Sequence, residues 1–165
     1  MIEAIILLGS NIAKERNIPA ALAALEAEPK ISCKKVSPVY ESTAVGPDGR
    51  PSGQETFHNA AVLIETDLTV HHLKATLRNT EESLGRVRTG DKFAARPIDL
   101  DIALYGDAVL DLEGSQVPDP DIVRYPHVAV PLAEVAPVWI HPLTGDTLAQ
   151  IAQRLATKHT EEIRS

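Results

Sequence analysis

The stretch RPIDLDIALYGD, residues 96–107, restricts the possible folds of this chain more than any other. Ile98, Leu100 and Ile102 alternate with Asp99 and Asp101, which is the period of a strand with one buried face. In a strand both acids point the same way, and at about 3.3 Å per residue their carboxylates stand roughly 6–7 Å apart. Aspartate is disfavoured in strands, and two like charges on one face repel unless water or a cation neutralises them. The segment therefore asks for a sheet behind it and for positive charge in front of it.

The rest of the pattern supplies the sheet. Residues 4–9, AIILLG, form a short apolar run that stops at Gly9-Ser10-Asn11 and reads as a buried strand. Residues 18–28 carry Ile18, Leu22 and Leu25 at helical spacing, with Pro19 in the first turn and Pro29 closing the helix. Residues 31–45 are rich in β-branched side chains, with Val36 and Tyr40 as anchors, and read as one second strand. Residues 56–66 form a third strand, 69–84 a helix with Val70, Leu73, Leu77 and Leu84 along one side, and 97–105 the fourth strand. The order β-α-β-β-α-β predicts an α+β, ferredoxin-like core: an antiparallel sheet with helices on its faces. A short strand near 108–112, one or two helical turns at 131–135, and a final helix extend it. In that last helix Leu148, Ile151, Ala152 and Leu155 share a face, with Asp146 as the expected cap. Residues 1–165 are expected to form a single domain, with a frayed tail after about residue 158.

A formal net charge of −7 argues against a nucleic acid or an anionic membrane surface as partner. The lone Cys33 allows no internal disulfide, and the apolar run near the start is too short to span a bilayer. A cytoplasmic monomer acting on small molecules is the expectation. Basic charge is nonetheless concentrated locally: Arg86, Arg88, Lys92 and Arg96 fall within eleven residues, offset only by Asp91.

Paired acids beside an arginine-rich loop suit phosphoryl transfer. Mg²⁺ prefers oxygen ligands and keeps water beside one or two carboxylates, and two such ions roughly 3.5–4 Å apart fit between acids at this spacing. Guanidinium groups clamp phosphate oxygens bidentately. The same acids would also suit a solvent-facing strand or an ion-paired one, and the arginines an ordinary solvated loop. GRVRTG, residues 85–90, lacks the Gly-Lys-Ser/Thr ending of a P-loop. On the third strand Phe57 and Asn59 share a face, where a ring and an amide could stack a flat heterocycle and read its edge. Taken singly, Phe57 suits a core and Asn59 a turn. His71 and His72 are adjacent on a helix and make a poor metal pair. Asn11 reads as a helix cap and Cys33 as a small packed thiol.

The chain resembles the 6-hydroxymethyl-7,8-dihydropterin pyrophosphokinases of folate biosynthesis. RPIDLDI (96–102) fits that family's Arg, two residues, Asp-x-Asp signature, supported by GSN (9–11), VGP (45–47), FHNAAV (57–62), Glu81, GRVR (85–88) and PLAEVAP (131–137). The resemblance implies transfer of diphosphate from ATP to the pterin hydroxymethyl group, releasing AMP. It implies that Asp99 and Asp101 hold two Mg²⁺ ions and that Arg86 and Arg96 engage the phosphates. It puts Glu81 and Arg88 on the nucleotide side, with Ile102 near the adenine. Asn59, with backbone groups around Ser42, Thr43 and Val45, would read the pterin edge. Phe57 would stack on one pterin face, and Phe93 would fold over the site with its loop. Residues 46–54 and 85–96 would act as lids that exclude water. The chain departs from the family at several positions. Asp119 stands where a His is frequent, His127 where many members carry a second stacking Phe, and Phe93 where Trp is usual. Thr89 replaces a common Lys, and Gly114 a frequent Arg. A non-catalytic nucleotide- or metal-binding module on the same fold is the rival reading, and a metal-dependent phosphohydrolase a more distant one.

Overall fold

The computed structural model describes residues 1–11, 14–42, 56–85, 98–112 and 114–164. Its central strand, β1 (Ile2–Ser10), is an almost unbroken apolar run because both of its faces are covered. Ala4, Ile6 and Leu8 turn to one side and Ile5 to the other, all fully buried. β1 pairs antiparallel with β4 (Phe57–Thr66) and with β5 (Asp99–Tyr105). Beyond β4 lies β2 (Ile31–Val36), giving the order β2-β4-β1-β5, and the short β3 (Tyr40–Ser42) also pairs with β4. This is the expected ferredoxin-like arrangement.

The single strand expected over 31–45 is two strands. Pro38 has no N–H to offer a ladder, so pairing breaks there. Ser37 secures the break instead: its N–H donates to the Ala61 carbonyl at 2.9 Å, and its hydroxyl accepts from the Ala61 N–H at 2.9 Å.

One face of the sheet carries α1 (Lys14–Ala27) and α2 (Val70–Ser83). Ile18, Ala21 and Leu25 form the buried stripe of α1. That helix begins earlier than its apolar spacing suggests, which leaves Pro19 beyond the first turn. In α2 the stripe is Leu73, Leu77 and Glu81, four residues apart, and Thr69 caps the helix by accepting from the His72 N–H. A buried acid in an apolar stripe requires a partner. Glu81 Oε2 accepts from the Leu100 N–H of the edge strand β5 at 2.7 Å. The bond ties the strand that bears Asp99 and Asp101 to α2.

The opposite face carries α3 (Pro126–Val135) and α4 (Leu148–Arg164). Sequence spacing placed only one or two helical turns at 131–135, because the prolines of this stretch mask its periodicity. Pro126 occupies the first turn, where no N–H is needed, and the burial of Val128, Ala129, Leu132 and Val135 carries the helix past Pro131. The α4 cap is Thr147 rather than Asp146: Thr147 Oγ1 accepts from the Gln150 N–H, and Gln150 Oε1 accepts from the Thr147 N–H. Asp146 pairs with Arg154 at 3.1 Å. Helix α4 spans Leu148–Arg164. A hairpin of β6 (Leu110–Leu112) and β7 (Ser115–Val117) follows β5 and is pinned by Lys74 Nζ on the Leu112 carbonyl. Only the first of its strands was expected from the sequence. Among the described residues no helix is long and apolar enough to cross a membrane.

Glu81→Ala is expected to lower stability by about 2–3 kcal/mol, the scale of a charge-assisted hydrogen bond lost from a buried N–H. Glu81→Gln, which can still accept through its carbonyl oxygen, loses less. Urea unfolding of both variants measures the difference.

Candidate active site

Antiparallel register sets the floor of the site. Gly9 of β1 lies opposite Asn59 of β4 on one side and Asp99 of β5 on the other. One row further along, Leu7 lies between Ala61 and Asp101. Directly paired residues share a face, so Asn59, Gly9 and Asp99 form a row across the sheet, with Asp101 beside it. This is the α3–α4 face, since Ile98, Leu100 and Ile102 are buried on the α1–α2 side as their alternation requires. Two strand spacings separate Asn59 from Asp99, roughly 10 Å along the sheet.

Gly9 keeps the middle of that row bare. Among the described residues a Cβ built there would meet Asn59 Oδ1 at 3.8 Å and Phe57 Cδ1 at 3.9 Å, which is ordinary contact. The missing side chain leaves space that a flat ligand can occupy, with the Phe57 ring and the Asn59 amide at its border. The amide is oriented by its donor side: Asn59 Nδ2 donates to Ser42 Oγ at 2.7 Å and lies 3.4 Å from the Tyr40 carbonyl. Its oxygen is left on the Gly9 side.

The carboxyls at the other end of the row, Asp99 and Asp101, interact with each other across this face. Burial raises the Asp101 pKa well above the usual carboxylate value, and the charges of Asp99, Asp119 and Glu81 raise it further. Asp119 is the third acid. Its N–H donates to the Ala103 carbonyl at 2.9 Å, which draws the 3-10 turn Pro120–Val123 against β5. Its Oδ1 caps that turn by accepting from the Asp121 N–H at 2.9 Å. Burial pushes the Asp119 carboxyl up to about 6, opposed by that hydrogen bond and by Arg124, and assisted by the charges of Asp121 and Asp99. A carboxyl whose folded pKa exceeds its unfolded value adds stability at low pH and loses it as pH rises through the folded value. Asp119 therefore carries an unfavourable charge beside Asp99 above about pH 6.

The donor set fits a hard divalent cation: all-oxygen, anionic and crowded. Among the described residues no group of three His, Cys, Asp or Glu side chains is placed to hold a metal ion, and the candidate ligands are the pair Asp99 and Asp101. Such a pair is the habit of Mg²⁺ sites completed by phosphate oxygens and water.

Other expected site residues divide into three groups. Phe57, Asn59, Ser42, Asp99 and Asp101 are brought to this face. Glu81 is buried behind β5 on the Leu100 N–H, and the Ile102 side chain belongs to the α1–α2 core. Thr43, Val45, Arg86, Arg88, Phe93 and Arg96 lie outside the described residues, as do both expected lids apart from Gly85. Arg86 follows Gly85 at the end of α2, and Arg96 lies three residues before Asp99, so both adjoin the site in the chain. His127, at the start of α3, has its ring stacked on Tyr125. His71 and His72 are exposed on α2. Cys33 is a free thiol whose pKa is raised by burial and by Glu26. Sequence reasoning did not identify Gly9 as the gap in the floor or Tyr125 as a ring partner. Register alone reveals the first, and the i, i+2 aromatic pair across Pro126 was the available signal for the second.

The sequence model of the family described as 7,8-dihydro-6-hydroxymethylpterin-pyrophosphokinase (HPPK) matches residues 5–137. The chain is 34% identical over 153 residues to the 2-amino-4-hydroxy-6-hydroxymethyldihydropteridine pyrophosphokinase of Synechocystis sp., covering 92% of this chain and 75% of that protein. It is 38% identical over 131 residues to the enzyme of the same name from Pseudomonas aeruginosa, covering 79% of this chain and 78% of the relative. Among solved structures, Plasmodium falciparum HPPK-DHPS with pteroate superposes with a TM-score of 0.74 at 11% identity, over 99% of this chain. The chain spans 44% of that longer polypeptide, and at this identity the likeness concerns the fold alone.

Gly9→Ala is expected to fold normally, since its methyl group meets ordinary contacts, and to lose pterin affinity by about tenfold or more through overpacking of the floor. Calorimetric titration with the reduced pterin, beside a thermal melt, measures both.

Proposed function

The chain belongs to the 7,8-dihydro-6-hydroxymethylpterin-pyrophosphokinase family and is an ATP-dependent diphosphotransferase of folate biosynthesis, and from that premise we propose how its residues divide the work. The pterin lies over Gly9, stacked on Phe57, with its edge on Asn59 and on the backbone around Ser42, Thr43 and Val45. Its hydroxymethyl arm points along the row toward Asp99. ATP lies at the β5 end with its triphosphate before Asp99 and Asp101. The hydroxymethyl oxygen attacks the β-phosphorus, the bond from the β-phosphorus to the α–β bridging oxygen breaks, and AMP departs with that oxygen. The hydroxyl proton passes to solvent or a phosphate oxygen.

Two Mg²⁺ ions held by Asp99 and Asp101 would supply the charge neutralisation that this displacement needs. Arg86 and Arg96 clamp phosphate oxygens as charge shifts toward the leaving AMP, with Arg88 and the Ile102 backbone on the nucleotide side. Phe93 and the two glycine-containing loops cover the reactants and keep out water, whose attack would waste ATP. Alignment and charge neutralisation carry such a reaction, and no strong base is required. The observation that carries this reading is the single face shared by Phe57, Asn59, Gly9, Asp99 and Asp101.

Asp101→Asn is expected to lower pterin-dependent AMP formation by about 10²–10³-fold, while the metal-free protein melts at the same or a higher temperature because like-charge repulsion is gone. A chromatographic AMP assay with and without pterin measures the first, and calorimetry the second. A near-normal rate in Mg²⁺ would remove the metal assignment. AMP formation without pterin in the wild type would favour a hydrolase, and ATP binding without AMP a non-catalytic module.

A further inference from the structure

Tyr125 and His127 flank Pro126 where α3 begins, and their rings stack with centroids 5.2 Å apart and planes 25° from parallel. Tyr125 is the N-cap residue of α3, yet its side chain makes no capping hydrogen bond. The residue is 45% exposed. A large ring left half in water at a helix start, with no capping role, is met by the face of the neighbouring imidazole. His127 is partly buried, and burial lowers its pKa, so near neutral pH it is an uncharged flat ring.

Asp121 lies within electrostatic reach of His127 and of Asp119, and Asp119 within reach of Asp99 and Asp101. Helix α3 packs against β3 and β4, the strands that carry Ser42, Phe57 and Asn59. The Asp119 N–H on the Ala103 carbonyl holds the turn that leads into the helix against β5, which carries Asp99 and Asp101. Helix α3 therefore packs on the same sheet face as the bare Gly9 row.

We propose that Tyr125 is a positioning residue for the pterin: by stacking on one face of His127 it holds the imidazole so that its other face closes over the heterocycle bound on Phe57. The inference rests on the pterin reading of this site. An imidazole has less area than a phenyl ring and gains less from stacking, so freedom of its ring costs proportionately more affinity. A Tyr ring behind it removes that freedom before the ligand arrives and adds only two rotatable bonds of its own.

Steady-state kinetics with Mg²⁺ and ATP, varying the reduced pterin, test the role in four variants. Tyr125→Leu keeps apolar bulk without a ring, and is expected to raise the pterin KM about 3- to 10-fold with little change in kcat or in the KM for ATP. Tyr125→Phe keeps the ring and is expected to restore the wild-type KM. In a His127→Leu background the further change Tyr125→Leu is expected to add nothing, since the residue acts only through His127. An unmoved pterin KM in Tyr125→Leu, additive effects in the double variant, or a loss in Tyr125→Phe equal to that in Tyr125→Leu each overturns the proposal. A rise in the KM for ATP in place of that for pterin does so too. A wild-type enzyme that forms no pterin-dependent AMP overturns the reading of the site itself, whereas an active wild type with additive variants overturns only the role of Tyr125.

Discussion

The repulsion between Asp99 and Asp101 organises the molecule. A fold free of function would not keep two carboxyls on one face of an edge strand, partly buried, with a third acid drawn toward them. Burial raises the Asp101 pKa well above its ordinary value, and the neighbouring charge of Asp99 raises it further. The surroundings hold the acids in place against this cost. Glu81 fixes the β5 backbone from behind through the Leu100 N–H, and the Ala103 carbonyl holds the Asp119 turn alongside. Such rigidity suits a site that must neutralise a polyphosphate without reorganising.

Much of this could be read from the linear sequence. Alternation around Asp99 and Asp101 gave the strand, its buried side and the acidic face, because a period of two leaves a strand no other solution. The continuous run Ala4–Leu8 marked a strand covered on both sides, and the α2 stripe showed one buried helical face. The βαββαβ order followed from those segments. Prolines caused most of the errors. Pro38 splits a strand whose composition reads as continuous, and Pro126 and Pro131 sit inside a helix that burial sustains against its local pattern.

The site was legible where its chemistry is concentrated in one segment and illegible where it depends on register. Phe57 and Asn59 were placed on one face by alternation, but that they adjoin Asp99 through a bare Gly9 depends on the pairing of three strands. Asp119 could be recognised as unusual, yet its approach to Asp101 is created by a hydrogen bond to Ala103, sixteen residues earlier in the chain. Resemblance associates Glu81 with the nucleotide side, and only the fold shows that its carboxylate accepts from the β5 backbone at the Leu100 N–H. Where this chain departs from its family, at Asp119 and His127, the fold supplies local partners: the Asp121 N–H for the first and the Tyr125 ring for the second.

Calorimetric titration of the protein with a non-hydrolysable ATP analogue, with Mg²⁺ and then with a chelator in its place, tests the role of the acid pair most directly. The account predicts tight binding with Mg²⁺ and severe weakening without it, and it predicts that Asp99→Asn combined with Asp101→Asn removes most of that difference. Equal affinity in chelator and in Mg²⁺ for the unaltered protein would contradict it.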